Sequence, residues 1–234
     1  GPDVLVDLLQ AYSESGQTQQ LDRLQAEISS RMDELPGGQL TMAVCRALTA
    51  LAQKRPSDAL AQLQSVAEDL RARETDFPSA QRFLAAAVRL PAEVNSELPP
   101  QWAHSIALRF ADGRHELGTL LEIAHKHEAC HGAIETAYDT LQTESNKAVE
   151  LASTGKLEEA AAMLYLLSQK TLNERISMNA CALLLRTCES RSKAGKPYPE
   201  EDRQVLQLMH WLPQDNERVR GFIRRHHALD PECE

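Results

Sequence analysis

One segment, Gly155 to Leu164, constrains the fold of this chain more than any other part of it. Its glycine suits a tight turn, its polar residues suit the start of a helix, and Ala160 offers a small side chain where two helices pack closely. Similar turns occur at Gly16, at Gly113 and at Lys54-Arg55-Pro56. The pattern predicts repeated helical hairpins. Because one hairpin cannot bury its apolar face alone, we expect the hairpins to stack into an α-solenoid, a fold that usually binds another protein.

The composition favours helices throughout the chain. Of the 234 residues, 42% are hydrophobic but only 4% are aromatic, so the core must consist of Leu, Ala, Val and Ile. Small side chains allow close approach of helix axes, and the scarcity of β-branched runs argues against a sheet protein. The sequence therefore predicts an all-α fold, an α-solenoid of stacked helical hairpins.

Apolar residues recur at helical spacing along almost the whole chain. In the first predicted helix they form a stripe of Val4, Leu5, Leu8, Leu9 and Tyr12, and Gly16 then ends the helix. Between 174 and 190 the apolar residues lie on two opposite sides, which predicts a helix with neighbours on both. Other helices are predicted at 39–53, 78–90 and 132–153, with one starting at Pro56 whose apolar spacing extends to Leu70. The helix that begins at Leu21 is predicted to end near Pro36-Gly37-Gly38, and Lys193 to Pro199 is predicted to be a polar loop.

The last predicted helix, about 215–228, separates apolar from basic residues. Its apolar residues fall within one narrow arc, and its arginines occupy the rest of the circumference. A polar outer face is typical of a helix that caps a solenoid. The alternative is a local basic contact site for an acidic partner. The arginines are Arg218, Arg220, Arg224 and Arg225.

A proline-rich segment separates two predicted parts of the chain. Residues 91–100 contain three prolines and few anchoring apolar side chains, which indicates either a joint between two halves or a long connecting loop. We predict N-terminal helical hairpins over 3–90, the joint over 91–100, and a C-terminal helical region with its capping helix over 101–228. Gly1-Pro2 is typical of what a processing protease leaves behind, so we expect a longer parent protein.

The net charge indicates which classes of partner are disfavoured, and the cysteines indicate the redox compartment. The net charge of −9 disfavours a nucleic-acid or anionic-membrane partner for the chain as a whole. No apolar run approaches the ~18–20 residues that a membrane-spanning helix requires. The five cysteines are odd in number and irregularly spaced, which favours reduced thiols in a cytoplasmic protein. Cys181 and Cys188 share one helical face and are predicted to pack in the core.

The C-terminal region resembles the tetratricopeptide-repeat output region of bacterial response regulators. The resemblance rests on Glu144 to Ala152, Gly155 to Ala160, Ile176 to Leu185 and a closing segment over Leu206 to Arg220, and it covers about 100–228. It implies a non-enzymatic module that binds a protein or peptide in two-component signalling. The sequence shows no strand–helix alternation with the acidic cluster, Asp and Lys of a receiver domain. We therefore expect an output module alone, or a relative without a receiver.

The hairpin arrangement predicts which residues contact the partner. In a stack of hairpins the first helix of each lines the concave groove, and the turns at Gly155 and Gly113 set the register of two such helices. We expect no catalytic, metal-binding or cofactor-binding residues, and a homodimer is a further possibility. The predicted partner-contact residues are Ala103, Phe110, Gln142 and Ser145.

A different class of function is indicated by His127-Glu128-Ala129-Cys130-His131. Two histidines four residues apart on a helix can both bind zinc, with the intervening Glu as general base. Glu144 or Glu150 would have to supply a third ligand, and Gly132 weakens the helix at the second histidine. A zinc-dependent hydrolase is therefore the main alternative. A regulatory or dimerisation arm of a transcriptional activator is another.

Overall fold

A computed structural model of the chain describes residues 2–31, 34, 37–72, 75–111 and 114–229. Over these ranges the regular structure is entirely helical, and no strand occurs among them. The prediction of an all-α fold is confirmed. None of the helices described is both long enough and apolar enough to cross a membrane.

The first seven α-helices lie between Pro2 and Ala124. A short 3-10 helix, Ala67–Arg71, follows the fourth of them. Their bounds are α1 Pro2–Ser15, α2 Thr18–Ser30, α3 Gly38–Ala52, α4 Pro56–Ser65, α5 Phe77–Ala87, α6 Leu98–Phe110 and α7 Arg114–Ala124. The remaining helices are α8 Glu128–Ser153, α9 Leu157–Thr171, α10 Glu174–Lys193, α11 Pro199–Trp211 and α12 Glu217–Leu229.

The chain divides into two compact units, Gly1–Ala137 and Tyr138–Glu234, and the division falls within α8. The predicted joint over 91–100 lies inside the first unit. The helices on either side of it, α5 and α6, pack together, and the rings of Phe83 and Trp102 lie 5.1 Å apart in an edge-on arrangement. This segment therefore connects two helices in direct contact.

In the first unit each helix packs mainly against its near neighbours along the chain. Helix α3 contacts α1, α2, α4 and α5, and α5 contacts α3, α4, α6 and α7. Because four helices surround α3, it is buried on most of its circumference, and its four alanines allow that close approach. The largest fully buried side chains of this unit include Leu9, Leu21, Ile28, Met42, Leu63, Phe83, Leu84, Ile106 and Leu120.

In the second unit α10 is the central helix. It contacts α9, α11 and α12, so two of its sides are covered. Ile176 and Ala180 are buried on one side, and Cys181, Leu185 and Cys188 are buried on the other. The predicted helix with neighbours on both sides is confirmed.

Four α-helices end in a turn with one residue at positive φ, and the residue after it donates its N–H to the carbonyl oxygen five residues earlier. At the end of α8, Gly155 has φ +85°, Lys156 donates its N–H to the carbonyl oxygen of Leu151 at 2.9 Å, and Gly155 donates to Ala152 at 3.3 Å. This pair of bonds satisfies carbonyl groups that the helix leaves free and reverses the chain tightly. The residues at positive φ in these turns, which follow α1, α3, α8 and α10, are Gly16, Lys54, Gly155 and Gly195.

The predicted hinges at Gly16, at Lys54-Arg55-Pro56 and at Gly155 are thus confirmed as turns between consecutive helices. Gly113 lies outside the described residues. At Gly195 the sequence predicts only a polar loop, whereas the turn there has the same geometry as the others.

The predicted apolar stripe of α1 is confirmed in part, because Leu9 is fully buried but Val4 and Leu8 are exposed. The buried face contains Val6, Leu9 and Ser13, whereas Val4 is 64% exposed. Apolar residues cover more than half of the circumference of this helix, so periodicity alone does not select the centre of the buried face. Packing against α2 and α3 selects it, and Ser13 Oγ donates to the carbonyl oxygen of Leu48 at 2.9 Å.

Two predicted helix ends also differ from the structure. The sequence predicts that the second helix ends near Pro36-Gly37-Gly38, but α2 ends at Ser30 and α3 begins at Gly38; Pro36 lies outside the described residues. The apolar spacing after Pro56 predicts a helix as far as Leu70, but α4 ends at Ser65. The 3-10 helix that follows keeps Leu70 buried.

Candidate partner-contact surface

Phe110 is the last residue of α6, and its ring is half-buried. The ring lies 5.7 Å from that of Phe77 at the start of α5, tilted by 54°. The guanidinium of Arg109 lies 4.6 Å from the centroid of the Phe110 ring. Phe110 therefore shares its apolar surface between its neighbours and solvent, and only part of the ring is available to a partner.

Arg109 holds the connection between the 3-10 helix and α5. Its guanidinium donates to the carbonyl oxygens of Leu70 at 2.6 Å and Thr75 at 2.8 Å, and also to that of Ala72. A guanidinium has five donors in a fixed plane, which suits several carbonyl groups converging on it. Sequence reasoning missed this residue, because its partners are more than thirty residues away along the chain.

Ala103, the other predicted contact residue of the first unit, has no exposed surface. It lies on the same side of α6 as Trp102 and Ile106, which are also buried. A small side chain here permits close packing of α6 against its neighbours. In this unit Phe110, and not Ala103, has atoms that a partner can reach.

Gln142 and Ser145 lie on α8 in the second unit, and both are half-buried. Ser145 Oγ is buried and has no hydrogen-bond partner within the described ranges. Val149 lies one turn further along the same helix face and is 66% exposed. These three residues form a stripe on α8, which we call the α8 stripe.

Val149 was missed as a candidate, although the sequence contains a signal for it. It lies seven residues after Gln142, two helical turns along the same face, and outside the predicted buried set of that helix. An exposed β-branched apolar side chain between polar neighbours is what distinguishes it. The described structure places Phe110 in the first unit and the α8 stripe in the second.

The His127–His131 segment forms the start of α8, with His127 immediately before the first helical residue. Cys130 donates its backbone N–H to His127 Nδ1 at 3.2 Å, so the imidazole accepts a hydrogen bond from the first turn of the helix. His131 Nδ1 lies 3.6 Å from Glu135 Oε2. No group of three or more His, Cys, Asp or Glu side chains in the described part of the chain is placed to hold a metal ion. The zinc-hydrolase alternative therefore lacks a third ligand among these residues.

The four cysteines that the structure describes are all buried. Burial raises the pKa of Cys45, Cys181 and Cys188 to about 12 and that of Cys130 to about 11. A thiol with such a pKa is protonated near neutral pH and is a poor nucleophile. The predicted core role of Cys181 and Cys188 is confirmed, while Cys233 lies outside the described residues.

Comparison with protein-family models, with curated proteins and with solved structures gives no match to this chain. The resemblance to tetratricopeptide-repeat output regions stays a prediction from the sequence motifs.

Proposed function

We propose that this protein is a non-enzymatic, tetratricopeptide-like scaffold that binds another protein or peptide, and that it serves as an output or adaptor module in bacterial two-component signalling. The cytoplasm is its proposed site of action. The observation that carries the proposal is the recurrence of one turn after α1, α3, α8 and α10.

Each of these turns leads directly into another helix, and three of the pairs that they join, α1 with α2, α3 with α4 and α10 with α11, pack against each other. One hairpin after another with the same closing geometry is what a repeat architecture requires. Packing supports the same assignment. Within each unit, the substantial helix–helix contacts join helices that are one or two positions apart along the chain.

The α8 stripe is the proposed contact surface in the second unit. Gln142 carries both a donor and an acceptor in its amide, and Val149 offers an apolar side chain that gains from burial. An amphipathic helix or an extended peptide covers such a surface by burying apolar atoms and pairing with the amide. Phe110 is the corresponding proposed contact in the first unit.

Photocrosslinking tests this surface while the partner is still unidentified. A photoreactive amino acid replaces Val149 in one variant and Leu166 of α9 in a control variant, in the cells that produce the protein. The two positions are matched, because Val149 is 66% and Leu166 is 61% exposed. We expect a discrete crosslinked protein at position 149 but not at position 166, and we expect Gln142→Ala to abolish it.

Equal crosslinking at both positions, or none at position 149, would contradict the proposed surface. The identity of the crosslinked protein tests the signalling role separately. A sensor kinase or a receiver-containing protein supports that role, whereas a protein without any signalling domain argues against it.

A further inference from the structure

The four arginines of α12 divide into two sets that the sequence does not distinguish. Arg220 and Arg224 both pair with Glu217, each at 3.2 Å, on one part of the helix surface. Arg218 and Arg225 lie on the flank that adjoins α10. Of the four, therefore, two share a single carboxylate within α12 itself and two are directed toward the neighbouring helix.

On that flank the arginines of α12 interact with polar residues of α10. Arg218 Nη2 donates to Asn179 Oδ1 at 3.0 Å, and the guanidinium of Arg218 lies 5.6 Å from the centroid of the Phe222 ring. Arg225 Nε donates to Glu189 Oε1 at 2.8 Å. The Arg218 side chain is thus oriented by an amide and a ring and has no carboxylate in these contacts.

Helix α10 adds further positive charge along the same face. Arg186 lies seven residues after Asn179 and three before Glu189, which places all three on one side of the helix. Arg186 is exposed and makes no hydrogen bond or ion pair with any residue that the structure describes. Arg175, four residues before Asn179, extends the row toward the start of α10, although it already takes part in an interaction within the protein.

We call the row of Arg175, Arg186, Arg218 and Arg225 the α10–α12 basic surface. Glu189 is the one carboxylate among the contacts given above for it. A concentration of guanidinium groups is unexpected in a chain with a net charge of −9. A row of guanidinium groups creates a local positive potential, which attracts a negatively charged ligand.

We propose that the α10–α12 basic surface binds an acidic polypeptide segment of a partner protein. From Arg175 to Glu189 the row follows α10 for roughly 20 Å at 1.5 Å per residue, the reach of about six residues of extended chain. Guanidinium groups pair with carboxylates through two parallel hydrogen bonds, which gives direction as well as attraction. None of the residues proposed above as partner contacts belongs to this surface.

Two observations favour a polypeptide over a nucleic acid. The net charge of −9 repels a long polyanion at a distance, whereas a short acidic segment carries few charges. Single-stranded nucleic acids also need exposed aromatic rings for base stacking. The ring nearest to Arg218, that of Phe222, is only 5% exposed, and Ala182 and Met178 beside the row are half-buried apolar residues suited to a peptide side chain.

The test uses a fluorescein-labelled synthetic peptide that alternates glutamate and aspartate with leucine and serine, and fluorescence anisotropy on the full chain. Arg186→Glu/Arg218→Glu is compared with Arg220→Glu/Arg224→Glu, which changes the net charge equally on the part of α12 that pairs with Glu217. We expect the first pair to weaken binding about tenfold or more and the second pair to change it less than about threefold. Circular dichroism of both variants confirms that each is folded.

Equal weakening by the two double variants would show non-specific attraction and would overturn the proposal. Failure of the peptide to bind the unaltered chain at low salt would overturn it as well. A single-stranded oligonucleotide of the same charge serves as the competing probe. Tighter binding of the oligonucleotide than of the peptide would assign the surface to nucleic acid and would also overturn the proposal.

Discussion

His226 Nε2 lies 2.5 Å from Asp202 Oδ1, which links α12 to α11 through a histidine that is only 2% exposed. A buried imidazole needs a partner, because an unsatisfied polar group in the interior loses its hydration without compensation. The contact therefore fixes the last helix against the body of the second unit.

Removing the carboxylate of this pair is expected to destabilise the protein. Asp202→Ala leaves the His226 ring unpaired, and we expect a loss of about 1–3 kcal/mol in the free energy of unfolding. Urea unfolding followed by circular dichroism measures it. Glu200→Ala on the same helix is the control, since Glu200 is exposed and pairs with Arg203 and Gln204 of its own helix. An equal loss in both variants would contradict a specific role of the His226–Asp202 contact.

The recurrent turn predicts opposite effects at two of its positions. Lys54 has φ +60°, a conformation that costs a residue with a Cβ roughly 1–2 kcal/mol. Glycine avoids this cost but loses more backbone entropy on folding. We therefore expect Lys54→Gly to raise the free energy of unfolding by about 0.5 kcal/mol. Gly155→Ala should lower it by about 1 kcal/mol. No atom lies within 4 Å of a Cβ built on Gly155, so this loss reports backbone strain alone. Thermal and urea unfolding of both variants measure whether the free energy of unfolding rises for Lys54→Gly and falls for Gly155→Ala.

Arg109 is expected to contribute more to stability than an exposed arginine. Arg109→Ala removes the donor shared by the carbonyl groups of Leu70, Ala72 and Thr75, and we expect a loss of about 2–4 kcal/mol. Arg203→Ala, which breaks an exposed pair with Glu200, should cost less than about 1 kcal/mol. Calorimetry compares the two. A similar small effect of both would show that the three carbonyl groups find other partners.

The buried thiols predict a reactivity that depends on folding and pH. At pH 8, in a Cys233→Ser background, a thiol-specific reagent should modify Cys45, Cys130, Cys181 and Cys188 slowly in the folded protein and rapidly in denaturant. Rapid labelling in the folded state would contradict their burial.

Because burial raises the pKa of Cys45 from 9.0 to about 12, its stabilising contribution is complete below pH 9 and is lost as the pH rises toward 12. Cys45→Ala should therefore reduce the decrease in the free energy of unfolding between about pH 9 and pH 12.

Sequence reasoning predicted the helices and most turns of this protein, because both depend on residues close together in the chain. Gly155 and the apolar spacing of 174–190 are local features, and the structure confirms what they predict. Sequence reasoning was less successful for α1, where apolar residues cover more than half of the circumference of the helix. There the contact of Ser13 with Leu48 and the packing on α3 select Val6 over Val4 for the buried face.

The candidate sites show the same limit. The sequence predicted contact positions at Phe110, Gln142 and Ser145, which have accessible atoms, but it did not show that Ala103 is fully buried. Nor did it show that Arg109 binds carbonyl groups more than thirty residues away. It also grouped four arginines of the last helix that the fold divides between Glu217 and the polar residues of α10.

By itself the sequence determined where the chain is helical and where it reverses, since backbone hydrogen bonds four residues apart and residues at positive φ act locally. Only the tertiary structure decided which face of each helix is covered and which charged side chains are paired with residues of another helix. Those outcomes depend on contacts such as Arg218 with Asn179, between residues far apart in the chain, and no local pattern encodes them.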